Sequence, residues 1–333
     1  MAEIRDGAFV RNETNQNSFG GTERMTERLA QEIDKDLLSE FQIVSSRVRD
    51  LQDDKIRVFW AHDLPGDPES NFLRDKNEQN KFHKFVFVSN WQMQGYISTY
   101  DIPWSKCCVL NNAIDPIEPH SKVDHQKQLR FIYTSTPHRG LNILAPVFDK
   151  LCEKYDNIHL DVFSSFKIYG WEQRDEPYQK LFDYIDQHDK MTYHGTQPNE
   201  VVREALKESH VFAYPSTWQE TSCLSLMEAM SAGCVCAHSN LGALYETASH
   251  WTHSYQFHED PSAHAQIFYG VLDSIIQGYQ NAEFRERLST TQQYANVFFS
   301  WQFRKSEWEN LLASLLSSVD DRSIPAEEFT YKT

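Results

Sequence analysis

Two glutamates eight residues apart, Glu220 and Glu228, stand in the segment Pro215–Gly233, PSTWQETSCLSLMEAMSAG, directly after the apolar run HVFAYPS. That run reads as a strand and Ser222–Ala232 as a helix, which sets Glu220 in the strand-to-helix loop and Glu228 on the helix. The start of such a helix, around Thr221, Ser222, Cys223 and Leu224, offers free N–H groups that hold a phosphate without a metal. A carboxylate before the helix and another two turns into it can each accept paired hydrogen bonds from a vicinal diol. The chemistry this suits is the binding of a nucleoside diphosphate sugar, with one carboxylate on the sugar hydroxyls and the other on the ribose. A capping Glu followed by a solvated helical Glu gives the same spacing. Gly233 and the apolar Cys234–Ala237 that follow place Glu228 on an element with little solvent-facing surface, where a buried carboxylate needs a partner such as a ligand diol.

Three further segments carry polar chemistry next to predicted strand ends. In FIYTSTPHRGLNIL, Phe131–Leu144, a strand gives way to a turn at Pro137, and Arg139 and Gly140 precede a helix. Arg139, always charged and fork-shaped, suits phosphate oxygens, although the same residue fits a surface loop. In SFGGTERMTERLAQEI, Ser18–Ile33, Gly20 and Gly21 open a helix and let backbone amides approach an anion. In VFWAHDLPGD, Val58–Asp67, His62 and Asp63 follow a strand, with His62 a contact for the transferred sugar and Asp63 a group to orient it or the acceptor. A lone histidine is more often a structural one, and only its position after a strand lifts it.

Absent patterns narrow the field. Neither GxGxxG nor GxxxxGK[ST] occurs, which argues against a nicotinamide dehydrogenase or a P-loop kinase. Asp34-Lys35-Asp36 matches the bare DxD of metal-dependent sugar transferases, but it ends an amphipathic helix and reads as solvated surface. No HExxH or clustered ligand spacing appears, so no metal site is expected.

The elements that must position these residues follow a βαβ rhythm from Leu129 onward. LRFIYTS, HLDVFSS, KMTYHG, HVFAYPS and VCAHS alternate with helical patterns at Leu141–Lys154, Glu176–Gln187, Pro198–Glu208 and Ser222–Ala232. The first part is similar but shorter, with a helix over Thr22–Leu38, strands at Phe41–Ser45, Ile56–Ala61 and Phe85–Ser89, a helix from Trp91 and a strand around Cys108–Leu110. Asp115–Lys127 reads as a linker, and the tail from Pro261 to Ser318 as largely helical. The expected architecture is α/β, with two Rossmann-like doubly wound domains facing a cleft, spanning 1–118 and 119–298. A C-terminal helix over 299–333 returns to the first domain.

Length and charge agree with this. The 333 residues are about right for two domains. A net charge of −16 disfavours a protein that binds mainly by blanketing phosphates with cations. Thirteen per cent aromatic residues supply a core, which argues against disorder. The six cysteines form no CxxC, no signal sequence opens the chain, and no run of about 18 apolar residues occurs. A cytoplasmic protein without integral membrane association is expected.

Together these residues resemble the GT-B glycosyltransferases of family 4, the retaining group 1 transferases. Glu220-x7-Glu228 with Ala229-Met230-x-Ala232-Gly233 is similar to the EX7E motif and its EAMAxG continuation. Gly20-Gly21-Thr22-Glu23 resembles the GGxE loop, Val109–Asp115 the V-I-x-N-G-I-D linker, Leu241–Glu246 the G-x-x-E segment and Phe299-Ser300-Trp301 the F-S-W closing motif. Tyr193-His194-Gly195 is similar to the strand and glycine that lie near the nucleoside base. The usual GRL-x-x-x-KG is replaced by Thr134–Gly140, so one of two phosphate-binding cations is absent and Arg139 takes the lysine position. This SxPxRGL variant resembles a subgroup of bacteria and their phages. The first strand of the first domain is missing or reduced to about Gly7–Val10.

The resemblance implies retaining transfer of a sugar from a nucleoside diphosphate donor, with no cofactor and no metal. Arg139 and amides at Gly21 and residues 222–225 would stabilise the leaving diphosphate. Glu220 would orient the sugar, Glu228 would bind ribose, and Gly195 would lie by the base. The acceptor is a glycan, a small molecule, or a hydroxymethylated base in DNA as phage enzymes use. For the last, Arg5, Arg11, Arg24, Arg28, Arg47, Arg49, Lys55 and Arg57 give the first domain local cations. A binding protein that has kept the fold and lost catalysis is the alternative of a different class.

Overall fold

The computed structural model describes residues 20–45, 48 and 50–319, together with the backbone of residues 4–5 and 9–10. The chain forms two compact units, one made of Met1–Ala113 and Trp301–Thr333, the other of Ile114–Ser300.

The first unit begins with a small antiparallel ribbon, β1 (Ile4–Arg5) and β2 (Phe9–Val10). Helices α1 (Gly21–Glu32) and α2 (Lys35–Leu38) precede a four-stranded parallel sheet. Its strands are β3 (Phe41–Ser45), β4 (Ile56–Ala61), β5 (Lys84–Phe87) and β6 (Cys107–Val109), hydrogen-bonded in that order. Between β4 and β5 lies α3 (Lys76–Gln79), and between β5 and β6 lies α4 (Asn90–Tyr100). Every residue of β3 and β4 is buried, as strands covered on both faces require.

The single helix expected over Thr22–Leu38 is two. The carboxylate of Asp34 accepts hydrogen bonds from the amides of Asp36 and Leu37 at 3.0 Å, capping a new helix and ending the old one. Ser89, read as strand, instead caps α4 by accepting from the Gln92 amide at 3.1 Å.

The second unit carries a six-stranded parallel sheet of β7 (Leu129–Thr134), β8 (Ile158–Phe163), β9 (Met191–Tyr193), β10 (Val211–Tyr214), β11 (Val235–Ser239) and β12 (His253–Tyr255). The order is β12-β11-β10-β7-β8-β9. From β7 the chain winds outward through α5 (Leu141–Cys152), α6 (Gln179–Asp186) and α7 (Asn199–Glu208). It then crosses to β10 on the other side of β7 and winds the opposite way through α8 (Leu224–Ser231) and α9 (Leu244–Ala248). The reversal falls between β7 and β10, so the crevice at their carboxyl ends is where an open α/β sheet binds ligands. The edge strand β12 is short and polar, and its sequence shows no apolar run that would announce it.

Two long helices, α10 (Pro261–Gly278) and α11 (Ala282–Phe298), complete this unit. The Asp115–Lys127 segment has no helix or strand, yet it is pinned. The Ile117 amide donates to Ser231 Oγ at 2.7 Å, and its carbonyl accepts from Asn296 Nδ2 at 3.0 Å. The last helix, α12 (Trp301–Ser318), belongs to the first unit, where it lies against α1 and α2. Its Trp308 is fully buried, 4.9 Å from the Trp60 ring of β4. No helix among the described residues is long and apolar enough to cross a membrane.

Three fully buried histidines of the second unit, His210, His238 and His264, are held neutral, each pushed down by burial to about 4. Unfolding returns each to about 6.5, so the unfolded chain binds more protons between those values. Their contribution to stability is fully present above about pH 6.5 and is lost as pH falls toward 4. Thermal melts across that window are expected to show a falling midpoint with uptake of up to three protons. Acid sensitivity that begins only below pH 4 would rule this out.

Candidate active site

The carboxyl end of β7 runs through a turn of 3-10 helix, Pro137–Arg139, that brings the Arg139 guanidinium over the end of β10. There Arg139 Nη1 donates to Glu220 Oε1 at 2.8 Å, and the Tyr214 hydroxyl donates a short hydrogen bond to the same oxygen. Glu220 is 6% exposed. Burial alone would lower the Arg139 pKa, but the Glu220 carboxylate outweighs it and holds the guanidinium well above its ordinary value. The site therefore contains a permanent cation bonded directly to a carboxylate, whose same oxygen also accepts from a buried phenol. Tyr214 is a site residue the sequence does not announce, because an aromatic at a strand end usually fills a core.

Two glycines make this approach possible. Gly140 has φ +112°, and a Cβ there would lie 2.1 Å from the Pro215 carbonyl oxygen. Gly242 has φ +67°, and its Cβ would meet the backbone N and O of Glu220 at 2.5 and 2.6 Å. Glu220 and Gly242 form an isolated parallel bridge, and the Ala243 amide donates to the Glu220 carbonyl at 2.7 Å. The backbone of Glu220 is thus clamped from the β11 side while Arg139 grips its side chain from the β7 side.

Helix α8 begins at Leu224, two residues later than the sequence suggests, with Cys223 as its N-cap in extended geometry. Thr221 and Ser222 belong to the loop before it. The Cys223 thiol is buried, and burial together with the Glu220 charge pushes its pKa up. The helix, which ends at Ser231, is closed off by Gly233, whose φ of +67° allows the amides of Gly233 and Cys234 to reach back to the carbonyls of Met230 and Ala229.

Glu228, two turns along, is 3% exposed. Its partners include Asn199 Nδ2 at 3.3 and 3.4 Å and Arg203 Nη1 at 3.6 Å, both from α7. A ligand is therefore not needed to explain its burial, which revises the premise drawn from the sequence.

Around these residues buried polar atoms lack hydrogen-bond partners among the described residues. They include Thr134 Oγ1 at the end of β7, Thr136 Oγ1, His138 Nδ1 and Arg139 Nε after it, Ser164 Oγ after β8, Thr196 Oγ1 after β9 and Ser222 Oγ before α8. Seven such atoms at one end of one sheet form a polar lining with hydrogen-bonding capacity to spare for water or a polar ligand. Ser and Thr at strand ends carry no motif, so the sequence does not reveal them.

Gly195 lies beside this group with φ +63°. The Ser164 amide donates to its carbonyl at 3.0 Å. The preceding His194 bonds Asp161 at 2.8 Å. Burial pushes the Asp161 carboxyl up, but His194 and Arg130 outweigh it and hold it below its usual range.

In the first unit, Gly20 and Gly21 form the N-cap and first residue of α1, with Gly20 in extended geometry that any residue adopts. What glycine contributes there is the absence of a side chain. His62 and Asp63 follow β4. The His62 ring lies 4.5 Å from Trp60, and burial lowers its pKa to about 3, so it is a neutral imidazole. The Asp63 carbonyl accepts from Gln92 Nε2 at 2.8 Å.

Of the cations named in this part, Arg28 pairs with Glu32 and Lys55 donates to the Ser39 carbonyl. Arg57 is buried and donates to the Lys81 carbonyl. Ser18, Phe19, Arg11, Arg47, Arg49, residues 7–8 and the side chain of Arg5 lie outside the described residues. Among the described residues no group of three His, Cys, Asp or Glu side chains is arranged to hold a metal ion.

Comparisons with known proteins agree with this architecture. A glycosyltransferase from Rickettsia africae ESF-5 superposes with a TM-score of 0.63 at 13% identity, covering 92% of this chain and 85% of that one. HepE of Anabaena in complex with UDP-glucose gives 0.59 at 17% identity, with 80% and 73% covered. Sucrose-phosphate synthase from Thermosynechococcus elongatus gives 0.60 at 13%, with 80% and 69% covered. These likenesses show the fold, which is GT-B. A comparison with curated proteins gives no match. The family described as glycosyl transferases group 1 matches residues 115–293, the stretch that holds Arg139, Glu220 and Glu228. Because that match spans more than half of the chain, the protein belongs to the group 1 glycosyl transferases, GT-B enzymes that move a glycosyl group from a nucleotide sugar.

Proposed function

We propose that this protein is a retaining, metal-independent glycosyltransferase of the family 4 type, with its donor site at the carboxyl ends of β7–β10. The observation that carries the reading is the Arg139–Glu220 pair at the switch between β7 and β10, beside the start of α8. Glu220 orients the sugar hydroxyls. Arg139 turns to the diphosphate as the donor enters, and with the amides at the start of α8 it meets the charge that grows on the leaving phosphate. The acceptor oxygen bonds to the anomeric carbon on the face the phosphate leaves, and its proton passes to the departing phosphate oxygen. Glu228 takes the ribose hydroxyls and the Gly195 turn lies by the base. In the first unit, neutral His62 serves as a hydrogen-bonding group toward substrate, and Asp63 with the amides at Gly20 and Gly21 orients it.

Six cysteines without a disulfide suit reaction in the cytoplasm. The internal use of Arg28, Lys55 and Arg57 leaves DNA, with its hydroxymethylated base, less supported as acceptor than a glycan or small molecule.

Thermal shift against UDP-glucose, ADP-glucose and GDP-mannose is the first test. A donor at 100 times its Kd is expected to stabilise the fold by about 2.7 kcal/mol. Proton NMR of the product is then expected to show the anomeric configuration of the donor, unchanged by EDTA. An inverted product or loss of turnover in EDTA refutes the mechanism, and binding without turnover across acceptors identifies an inactive homologue.

A further inference from the structure

The loop after β8 is not a simple turn. Ser165–Asp175, SFKIYGWEQRD, is closed on itself by Asp175, whose carboxylate accepts from the Phe166 amide at 2.8 Å and from the Ser165 hydroxyl. The Trp171 amide reaches back to the Phe166 carbonyl at 3.2 Å. This brace turns Phe166 inward and Trp171 outward.

Phe166 stacks on His138, with centroids 5.0 Å apart and planes 16° from parallel. His138 also meets Trp218 edge-on at 5.0 Å. Thr217 Oγ1 donates to the His138 carbonyl at 3.0 Å, which fixes the Trp218 loop to the Arg139 loop. On the outer side, the Arg174 guanidinium lies 4.2 Å from the Trp171 ring, and Tyr169 is 5.3 Å from that ring. Arg174 is also close enough to His138, and Tyr169 to Arg139, to perturb their charges. The result is an aromatic shelf in two parts, Trp218–His138–Phe166 and Tyr169–Trp171–Arg174, joined by the Trp171 to Phe166 backbone bond and carried on the loops after β10, β7 and β8, with His138 adjoining Arg139 in sequence. Trp218 is 43% exposed and Trp171 39% exposed, and His138 Nδ1 is buried with no protein partner.

Two half-exposed indoles on the loops after β10 and β8, with an unsatisfied nitrogen on the loop after β7 that lies between those loops, fit a flat ligand with an apolar face and a hydroxylated edge. The strand order says which ligand. The shelf sits on the β10–β7–β8 side, by the carboxylate proposed to orient the sugar, and the Gly195 turn follows β9 beyond it, meeting the β8 loop at Ser164. The charges of its β8 loop disfavour a phosphate backbone: Glu172, Asp175 and Glu176 stand against Lys167 and Arg174, and Lys167 is already paired with Glu172 at 3.0 Å.

We propose that Trp218 and Trp171, with His138 between their loops, form a stacking subsite for a neutral sugar ring of the acceptor, so that the acceptor is a glycan or glycoside. This rests on Glu220 and Arg139 being the donor's sugar and diphosphate ligands.

The test is saturation-transfer NMR of the full chain with UDP present, using methyl glycosides of glucose, galactose, mannose and N-acetylglucosamine as probes. At least one is expected to bind in about the millimolar range, and Trp218→Ala and Trp171→Ala are expected to weaken it tenfold or more. Trp218→Phe and Trp171→Phe keep most of the binding, which separates lost stacking from lost folding. UDP affinity in all four variants stays within twofold of wild type. Absence of glycoside binding, equal binding by the Ala variants, or Trp-dependent binding of a DNA oligonucleotide overturns the subsite. Unchanged UDP affinity in Arg139→Ala overturns the donor reading instead, whatever the glycosides do.

Discussion

Glu220→Gln is expected to lower turnover by about 10²-fold or more while leaving a folded protein. Gln keeps an oxygen for the Tyr214 hydroxyl and the backbone bridge to Gly242, so the loop stays in place. What it removes is the charge opposite Arg139 and the strong acceptor proposed for the sugar hydroxyls. Positioning and charge effects of that kind are commonly worth about 10²–10³ in rate, or roughly 2.7–4 kcal/mol of barrier. The ion pair is neither fully exposed nor fully buried, with side chains 22% and 7% accessible, so its loss costs about 2 kcal/mol of stability. Initial rates with the identified donor, read beside a thermal melt, separate the two effects. Turnover within threefold of wild type sinks the assignment of Glu220.

Gly140→Ala is expected to cost about 3–5 kcal/mol and to remove activity with it, combining backbone strain of about 1–3 kcal/mol with overpacking of similar size. The clash is with backbone, the Pro215 carbonyl at 2.1 Å, and backbone cannot rotate away. Relief would have to separate the loop carrying Arg139 from the loop leading to Glu220. Gly233→Ala is the matched control. It shares a positive φ, but its Cβ would find Gln292 at 3.7 Å, an ordinary contact, so only the strain of about 1 kcal/mol is expected. Denaturant melts followed by a probe in the second unit compare the pair. A difference below about 1 kcal/mol between them contradicts the close-approach argument.

The second sheet was readable because parallel strands buried on both faces are continuous apolar runs, and the run His210–Ser216 or Val235–Ser239 admits few alternatives. Where a single side chain sets the boundary, the pattern failed. Asp34 splits a helix that periodicity joins, Ser89 ends a strand early by capping α4, and β12 is held by its neighbour β11 rather than by its own residues. At the site, Glu220, Glu228 and Arg139 stood out by type and spacing. Their surroundings did not. Tyr214 and the orphan hydroxyls after β7, β8 and β9 come together only through the strand order β10-β7-β8-β9, which joins residues as far apart in sequence as Thr134 and Ser222. The partners of Glu228 come from α7, and no local spacing predicts that Asn199 and Arg203 face it.

The second unit is continuous in sequence, whereas the first is split around it, with Trp308 of the last helix filling the core against Trp60. Synthesis at about 5–20 residues per second therefore delivers all of Ile114–Ser300 before the first unit has its final wall. On the ribosome the nascent chain can complete the six-stranded sheet while the earlier-made strands still wait, with Trp60 uncovered, for the helix that closes over them. A stop codon after Ser300 would leave that vacancy permanent, and a chaperone that recognises exposed aromatic surface would meet the amino-terminal unit, not the carboxyl-terminal one.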